Sequence, residues 1–224
     1  MLTVTGVAAG STSVVVKDNG SPAKTVTIPI TVTTSGGGGG GFTTAGTVSF
    51  SSNKGNFTAS GIYNGDATTG SGAGAMTMSS GGSYIMQVTG YRVNSATSID
   101  IAILQFMDTS PIASGSYNYP PTSGTKTVIV SYAPAVNPND TNENIYLLTS
   151  TTANISAFSS SNTQGTFSGN GMYYSNGTVV PTNTIAITGG TFNVPVIPLI
   201  ALNVLQQPID KKIEKIIKRI MSSR

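Results

Sequence analysis

The chain predicts an all-β protein in two unequal parts, followed by a short C-terminal amphipathic helix. Three observations carry that expectation. Apolar and hydroxyl residues alternate along most of the length, Gly, Asn and Pro recur between the alternating runs, and six consecutive glycines, Gly36–Gly41, divide the chain. Alternation with period two marks a half-buried strand, because successive side chains leave a strand on opposite faces. A glycine run makes a poor strand or helix interior, since glycine loses the most backbone freedom on ordering. As a linker it has a root-mean-square reach of roughly 13 Å. The expected organisation is a β module at 1–34, a linker at 35–42, a larger antiparallel β-sandwich at 43–196, and an apolar segment with a helix at 197–224.

Composition narrows the class. Charged residues are 8% of the chain, against about 25% in ordinary globular domains. Ser and Thr make up roughly a quarter of it, a balance found in β-rich bacterial surface proteins and virion fibres. An extracellular or cell-surface location follows, bacterial or on a phage virion. Apolar residues at 38% with period-two order argue against disorder. The net charge of +3 is uneven: Lys211, Lys212, Lys215, Lys218, Arg219 and Arg224 supply six of the 11 basic groups. Without them no basic face with interleaved aromatics remains, so no nucleic-acid partner is expected. Cys, His and Trp are absent, which removes disulfides and thiolate chemistry. Met1–Val4 leads straight into strand-like sequence without the regions of a signal peptide. Export is therefore expected to use another route or sequence outside this chain.

In the first part, Leu2–Val7, Ser13–Lys17 and Lys24–Thr33 read as strands, and Asp18-Asn19-Gly20 as the tight turn of a hairpin. The wording Val4-Thr5-Gly6-Val7-Ala8-Ala9-Gly10-Ser11, then Ser13-Val14-Val15-Val16-Lys17-Asp18 and Thr25-Val26-Thr27-Ile28-Pro29-Ile30-Thr31-Val32, resembles the last three strands of bacterial Ig-like domains of the group-2 type. That resemblance covers residues 1–33 and implies a partial Ig-like β-sandwich module lacking its earlier strands. Such a half-domain needs completion by a strand of a neighbouring subunit, by the second domain, or by upstream sequence.

In the second part, strand candidates are Thr47–Phe50, Asn56–Tyr63, Ala75–Met78, Tyr84–Arg92, Ser98–Met107, Lys126–Tyr132, Asn144–Thr149, Asn154–Phe158, Gly165–Ser168 and Thr184–Val194. In Ser98–Phe106 the spacing puts Ile99, Ile101 and Ile103 on one face and Asp100, Ala102 and Leu104 on the other. Regular strands with turn residues between them fit a sandwich or a barrel, and Pro120-Pro121, Pro134 and Pro138 read as loop positions. The pattern Gly-x-Phe-Ser/Thr-x-x-Gly-Ile/Met-Tyr occurs at 55–63 and again at 165–173. It is either chance reuse of strand wording or a pair of equivalent strands in opposed halves of the domain. Gly165-Thr166-Phe167-Ser168-Gly169 followed by Ile187-Thr188-Gly189-Gly190-Thr191-Phe192 resembles the C-terminal strands of secreted bacterial β-sandwich lipoprotein domains of unknown function. No catalytic residue comes with that resemblance, and the cysteine of a lipid anchor is missing.

Pro208 opens the predicted helix. Ile209, Ile213, Ile216, Ile217 and Ile220 form one apolar stripe at helical spacing. Asp210 and Glu214 lie near its start and Lys218 and Arg219 near its end, as the helix dipole prefers. The stripe has three readings: packing on its own domain, self-association between subunits in a coiled-coil-like seam, or contact with a membrane surface.

Catalytic chemistry is hard to assemble here. The commonest general base, nucleophile and metal ligands are absent, and no enzyme, cofactor or metal site is expected. Asp100 and Asp108 are the one carboxylate pair weighed for glycoside hydrolysis. Asp140–Asn144 starts like a calcium loop, but Ile145 replaces the loop glycine and Thr151 stands at position twelve. Tyr117, Tyr119, Tyr173 and Tyr174 are the candidates for a carbohydrate-stacking face, with core packing as the alternative. The functional expectation is a structural subunit of a surface filament, sheath or appendage. It would be a homo-oligomer or polymer joined by strand completion and by the isoleucine helix. The alternative is an adhesin-like module recognising carbohydrate or a surface protein.

Overall fold

A computed structural model of the chain describes residues 10–17, 20–21, 24–32, 44–63, 70–80, 82–122, 124–137 and 144–197. All the regular structure among them is β-strand. The chain divides within the glycine run into Met1–Gly40 and Gly41–Arg224. The expected strand Leu2–Val7, the turn residues Asp18 and Asn19, and the isoleucine helix lie outside the described residues.

The first unit contains a hairpin of β1 (Gly10–Lys17) and β2 (Thr25–Val32), paired antiparallel from Gly10–Val32 to Lys17–Thr25. This register sorts the residues by character. Val14 pairs with Ile28, Val16 with Val26 and Thr12 with Ile30 on one face, while Ser13–Pro29, Val15–Thr27 and Lys17–Thr25 take the other. Ser13 and Val15 are exposed.

The second unit is a single closed sheet. Its strands are β3 (Ala45–Ser52), β4 (Phe57–Ile62), β5 (Ser71–Ser80), β6 (Ser83–Ser95), β7 (Ser98–Asp108), β8 (Gly115–Tyr119), β9 (Thr127–Val136), β10 (Asn144–Phe158), β11 (Asn162–Ser175) and β12 (Thr178–Ile197). They run in the order β10-β11-β12-β3-β4-β5-β6-β7-β9-β8 and close on β10. This corrects the expected two-sheet sandwich. Two arcs are present, but hydrogen bonds join them along both seams. At one seam β9 pairs with β10 only at Tyr132–Tyr146 and Ser131–Leu147, after which β8 fills the gap, pairing Gly115–Tyr119 with Thr151–Ile155. At the other, β4 meets β5 at the parallel bridge Ile62–Ala73, and the end of β12 continues the contact through Val196–Ala75 and Ile197–Met76. Alternating sequence looks the same in either architecture, so closure was not visible in the pattern. The three parallel contacts (β4–β5, β5–β12, β8–β9) also depart from a purely antiparallel sheet.

The interior is filled by facing residues of the two arcs. Phe50 and Phe57 stack 5.2 Å apart and meet Tyr132 edge-on at 5.1 and 5.6 Å. Farther along, Phe106 meets Phe192 at 5.6 Å and Tyr117 at 5.2 Å. The arcs come close at Gly90, where a Cβ would lie 3.0 Å from the Val48 Cβ and 3.1 Å from the Ala59 Cβ. The recurring pattern at 55–63 and 165–173 supplies Phe57 and Phe167, and both rings contact Phe50. The two copies are not in opposed halves: β11 and β4 belong to one arc, separated by β12 and β3.

The glycines of the 165–169 and 187–192 wording have a packing reason. Gly165 pairs with Phe192 and Phe167 with Gly190 across β11 and β12. Each glycine lies under the ring of the opposite strand, 2.6 Å from Phe192 Cζ in one case and 2.8 Å from the Phe167 ring in the other, measured to the Cβ either would carry. Ring-over-glycine pairing of this kind pins register. Gly189, at φ +60°, sits where the β12–β3 pairing shifts between Thr188 and Thr191, a bulge that bends the long strand round the barrel.

Gly165→Ala and Gly190→Ala are each expected to destabilise the barrel by about 1–3 kcal/mol through overpacking. Urea unfolding should show a lower midpoint with an unchanged slope. A wild-type midpoint in both variants would contradict the reciprocal seating.

Candidate functional site: the aromatic end of the barrel

Interior polar groups on β7 are confined to the strand's ends. Asp100 and Asp108 share the inward side of β7 with Ala102, Leu104 and Phe106, and both are 5% exposed. The register of the β6–β7 hairpin sets Arg92 directly opposite Asp100. Arg92 Nη2 donates to Asp100 Oδ2, and the Ala135 N–H donates to Asp100 Oδ1 at 2.8 Å. The Arg92 guanidinium also stands 5.7 Å over the Phe57 ring.

Around this pair the barrel end is aromatic. Tyr132 stacks near Tyr146 at 6.4 Å, and Tyr146 meets Tyr173 at 5.0 Å. The Tyr146 hydroxyl donates to Asn183 Oδ1 at 3.1 Å, and Lys54 Nζ lies 5.8 Å over the Tyr146 ring. Asn53 ties the β3–β4 turn to β12, accepting from the Ala186 N–H at 2.9 Å and donating to the Thr184 carbonyl. At the opposite end Asp108 accepts from Thr125 Oγ1 and the Ser110 N–H.

Protonation follows from these partners. Burial alone would raise the Asp100 carboxyl, but hydrogen bonds from Ala135, Arg92 and Asn94, with the Arg92 charge, outweigh it and hold the group below its ordinary 3.8. Burial likewise opposes ionisation of Asp108, and Thr125, Ser110, Thr109 and Lys126 reverse that balance. Tyr132 is pushed up to about 12, first by burial and then by the Asp100 charge. Burial also raises Tyr117 and Tyr173. The charged carboxylates and neutral phenols are thus the forms that fit the fold.

Chemically this arrangement fixes charges in place. Asp100 and Asp108 stand eight residues apart on one strand, about 26 Å at ~3.3 Å per residue. A glycosidase pair needs roughly 5–9.5 Å, so these two carboxylates do not form one. Among the described residues no group of three or more His, Cys, Asp or Glu side chains could hold a metal. Asp140 and Glu143 lie outside them.

The four candidate tyrosines do not share a face. Tyr117 is fully buried, its hydroxyl donating to the Ala113 carbonyl at 3.0 Å and its ring edge-on to Phe106, so it is a core residue. Tyr119 ends β8 half-buried. Tyr173 and Tyr174 are neighbours on β11 and point to opposite sides, Tyr173 against the interior and Tyr174 against Ala133 and Ile145 outside. The aromatic end draws instead on Tyr132, Tyr146, Arg92, Lys54 and Asn183, none of which stood out in the sequence. One signal was available: Arg92 is the only arginine before residue 219, and the acidic residue Asp100 follows it in the next expected strand. The association residues Ile209, Ile213, Ile216, Ile217 and Ile220 lie outside the described residues.

The pH dependence has two limbs. Asp100 and Asp108 are lower in the fold than in the unfolded chain, so their contribution is complete above about pH 5 and is lost as pH falls through the folded values. Tyr132 is higher in the fold, so its contribution is complete below pH 10 and is lost as pH rises toward about 12. Thermal melts across pH should show a plateau between the limbs. Asp100→Asn with Asp108→Asn should flatten the acid limb and leave the alkaline one; an unchanged acid limb would refute the assignment. Comparison with protein-family models, curated proteins and solved structures finds no match to the chain.

Proposed function

We propose that the chain is a structural subunit of a bacterial extracellular or cell-surface assembly, a filament, sheath or appendage, joined by strand completion at the β1–β2 hairpin. The observation that carries this reading is the contrast between the two units. Among the described residues the barrel closes on itself and offers no continuous free edge. The two strands of the hairpin, among the described residues, pair only with each other.

A two-stranded hairpin is marginal alone. Among the described residues no further strand pairs with its outer edges, and such edges template a further strand; the register sets Val14 against Ile28 and Val16 against Val26. Strand addition answers both the marginal stability and the open edges. The resemblance of residues 1–33 to the last strands of an Ig-like domain supports the same reading, since the absent strands would come from a partner. The hydroxyl-rich, weakly charged composition suits an extracellular setting. The isoleucine segment 209–220 provides a second association surface only in a chain whose barrel does not take it up. The adhesin-like alternative draws no support from the tyrosines, which are divided between core and opposite faces.

Light scattering and negative-stain microscopy on the intact chain, beside a version starting at Phe42, test the proposal. Oligomers or filaments are expected from the intact chain and monomers from the shortened one. A monodisperse monomer from the intact chain at all concentrations would overturn strand completion as the route of assembly.

A further inference from the structure

The outer wall of the barrel has two characters. On β10, β11 and β12 it is built of exposed hydroxyl and amide side chains, among them Thr152, Asn154, Thr166, Ser168, Thr191 and Asn193. On the other arc it is apolar and buried. Ile99, Ile101 and Ile103 alternate with the inward residues of β7, yet they are only 2%, 5% and 5% exposed. They form one cluster with Met76, Tyr91, Tyr63 and Ile197, separate from the barrel interior. The polar neighbours Thr89 and Ser131 on this side are buried too.

No described strand explains that burial. The neighbours of β7 among the described strands are β6 and β9, both in the plane of the sheet. That burial calls for a further layer over the outer side of β5, β6, β7 and β9, and the second unit itself offers few segments to supply it. The other parts of that unit are short or polar: residues 64–69 read Asn-Gly-Asp-Ala-Thr-Thr and residues 138–143 read Pro-Asn-Asp-Thr-Asn-Glu. Residues 198–224 are different, with a repeated isoleucine stripe.

We infer that the isoleucine stripe of residues 209–220 covers the outer apolar face of β5, β6, β7 and β9 in its own chain. Position favours it. The described chain ends at Ile197, which pairs beside Met76 on β5 and is itself 1% exposed within the cluster. The eleven residues from 198 to 208 can span up to about 36 Å, so reach is no obstacle. Size also fits. From Ile209 to Ile220 a helix rises about 16 Å at ~1.5 Å per residue, and four strands at ~4.8 Å spacing are about 14 Å across. The cluster residues carry no charge, so the stripe meets no unpaired ion, and at helical spacing Lys211, Lys215 and Lys218 fall opposite the stripe while Lys212 and Arg219 flank it. The inference is independent of the assembly proposed above.

Because the chain has no cysteine, Ser222→Cys gives a unique attachment point for a nitroxide on the full-length protein. With isoleucine methyls isotopically labelled, the signals of Ile99, Ile101 and Ile103 are expected to be lost, while those of Ile155 and Ile185 on the other arc persist. A mixed sample, with the nitroxide on one chain and the labelled methyls on another, is expected to show no loss. Ile213→Asp with Ile216→Asp should restore the signals in the nitroxide-bearing chain. Loss in the mixed sample would make a second copy the occupant and overturn the inference. So would full signals in the single-chain sample, or loss that survives the double substitution.

Discussion

The fold depends on contact between the two arcs across the barrel interior. Phe50 and Phe57 on one arc meet Tyr132 on the other, and Phe192 meets Phe106. These rings fill a space that the neighbouring strands leave narrow, and the narrowness is set by glycines. Gly90 lets β6 approach Val48 and Ala59, and Gly165 and Gly190 let rings lie flat against the β11–β12 pair. Large and small residues thus alternate through the interior, as close filling requires. The ring contacts reinforce seams whose backbone pairing is short: β4–β5 is a single bridge continued by two β12–β5 pairs, and β9–β10 is two pairs continued by the five of β8–β10.

Closure also dictates where charge goes. A strand with both faces covered can admit an ionised group only near its ends, where partners or water are in reach. On β7 the inward carboxylates are therefore Asp100 and Asp108, one near each end, each surrounded by donors. Arg92 does two jobs at its end: it pairs with Asp100 and lays its guanidinium over Phe57. The side-chain exposure of 37% for Arg92 against 7% for Asp100 means that the pair is partly screened, so its worth is mainly orientation. It anchors the β6–β7 hairpin to the β9 backbone through Ala135.

Much of this was legible in the sequence. The alternation in Ser98–Phe106 assigned Ile99, Ile101 and Ile103 to one side and Ala102 and Leu104 to the other, and two separate clusters now hold them. The predominance of strand among the described residues between 44 and 197 was equally plain. Closure was not, because strand alternation reports only which residues share a face, and the seams depend on pairings between strands far apart in sequence, such as Val196 with Ala75. Tyr117 was ambiguous for a related reason: its neighbours in sequence are Ser116 and Asn118, while the Phe106 ring that buries it comes from a different strand. The polar barrel end escaped because its members are single residues from five strands and turns.

The burial of both sides of β7 makes it the most enclosed strand of the barrel, and it bears on the two association surfaces differently. A helix of the length the sequence predicts for residues 209–220 is unstable alone in water, so in the inferred packing its isoleucines gain from a surface, each being worth about 1.5–3 kcal/mol when fully buried. In the inferred packing the outer face of β7 competes for them with any second copy. A segment tethered to its own barrel by a short linker has an effective concentration in the millimolar range. Against subunits at roughly micromolar concentration that is a factor of about a thousand, or about 4 kcal/mol. The tether does not help the hairpin in the same way: an open strand edge is completed only by a strand of matching register, and the barrel has spent its strands on closing itself. On the packing inferred above, the outer face of β7 takes up the isoleucine segment, and on the assembly proposed above the β1–β2 edge is the part of the chain with a reason to find a neighbouring subunit.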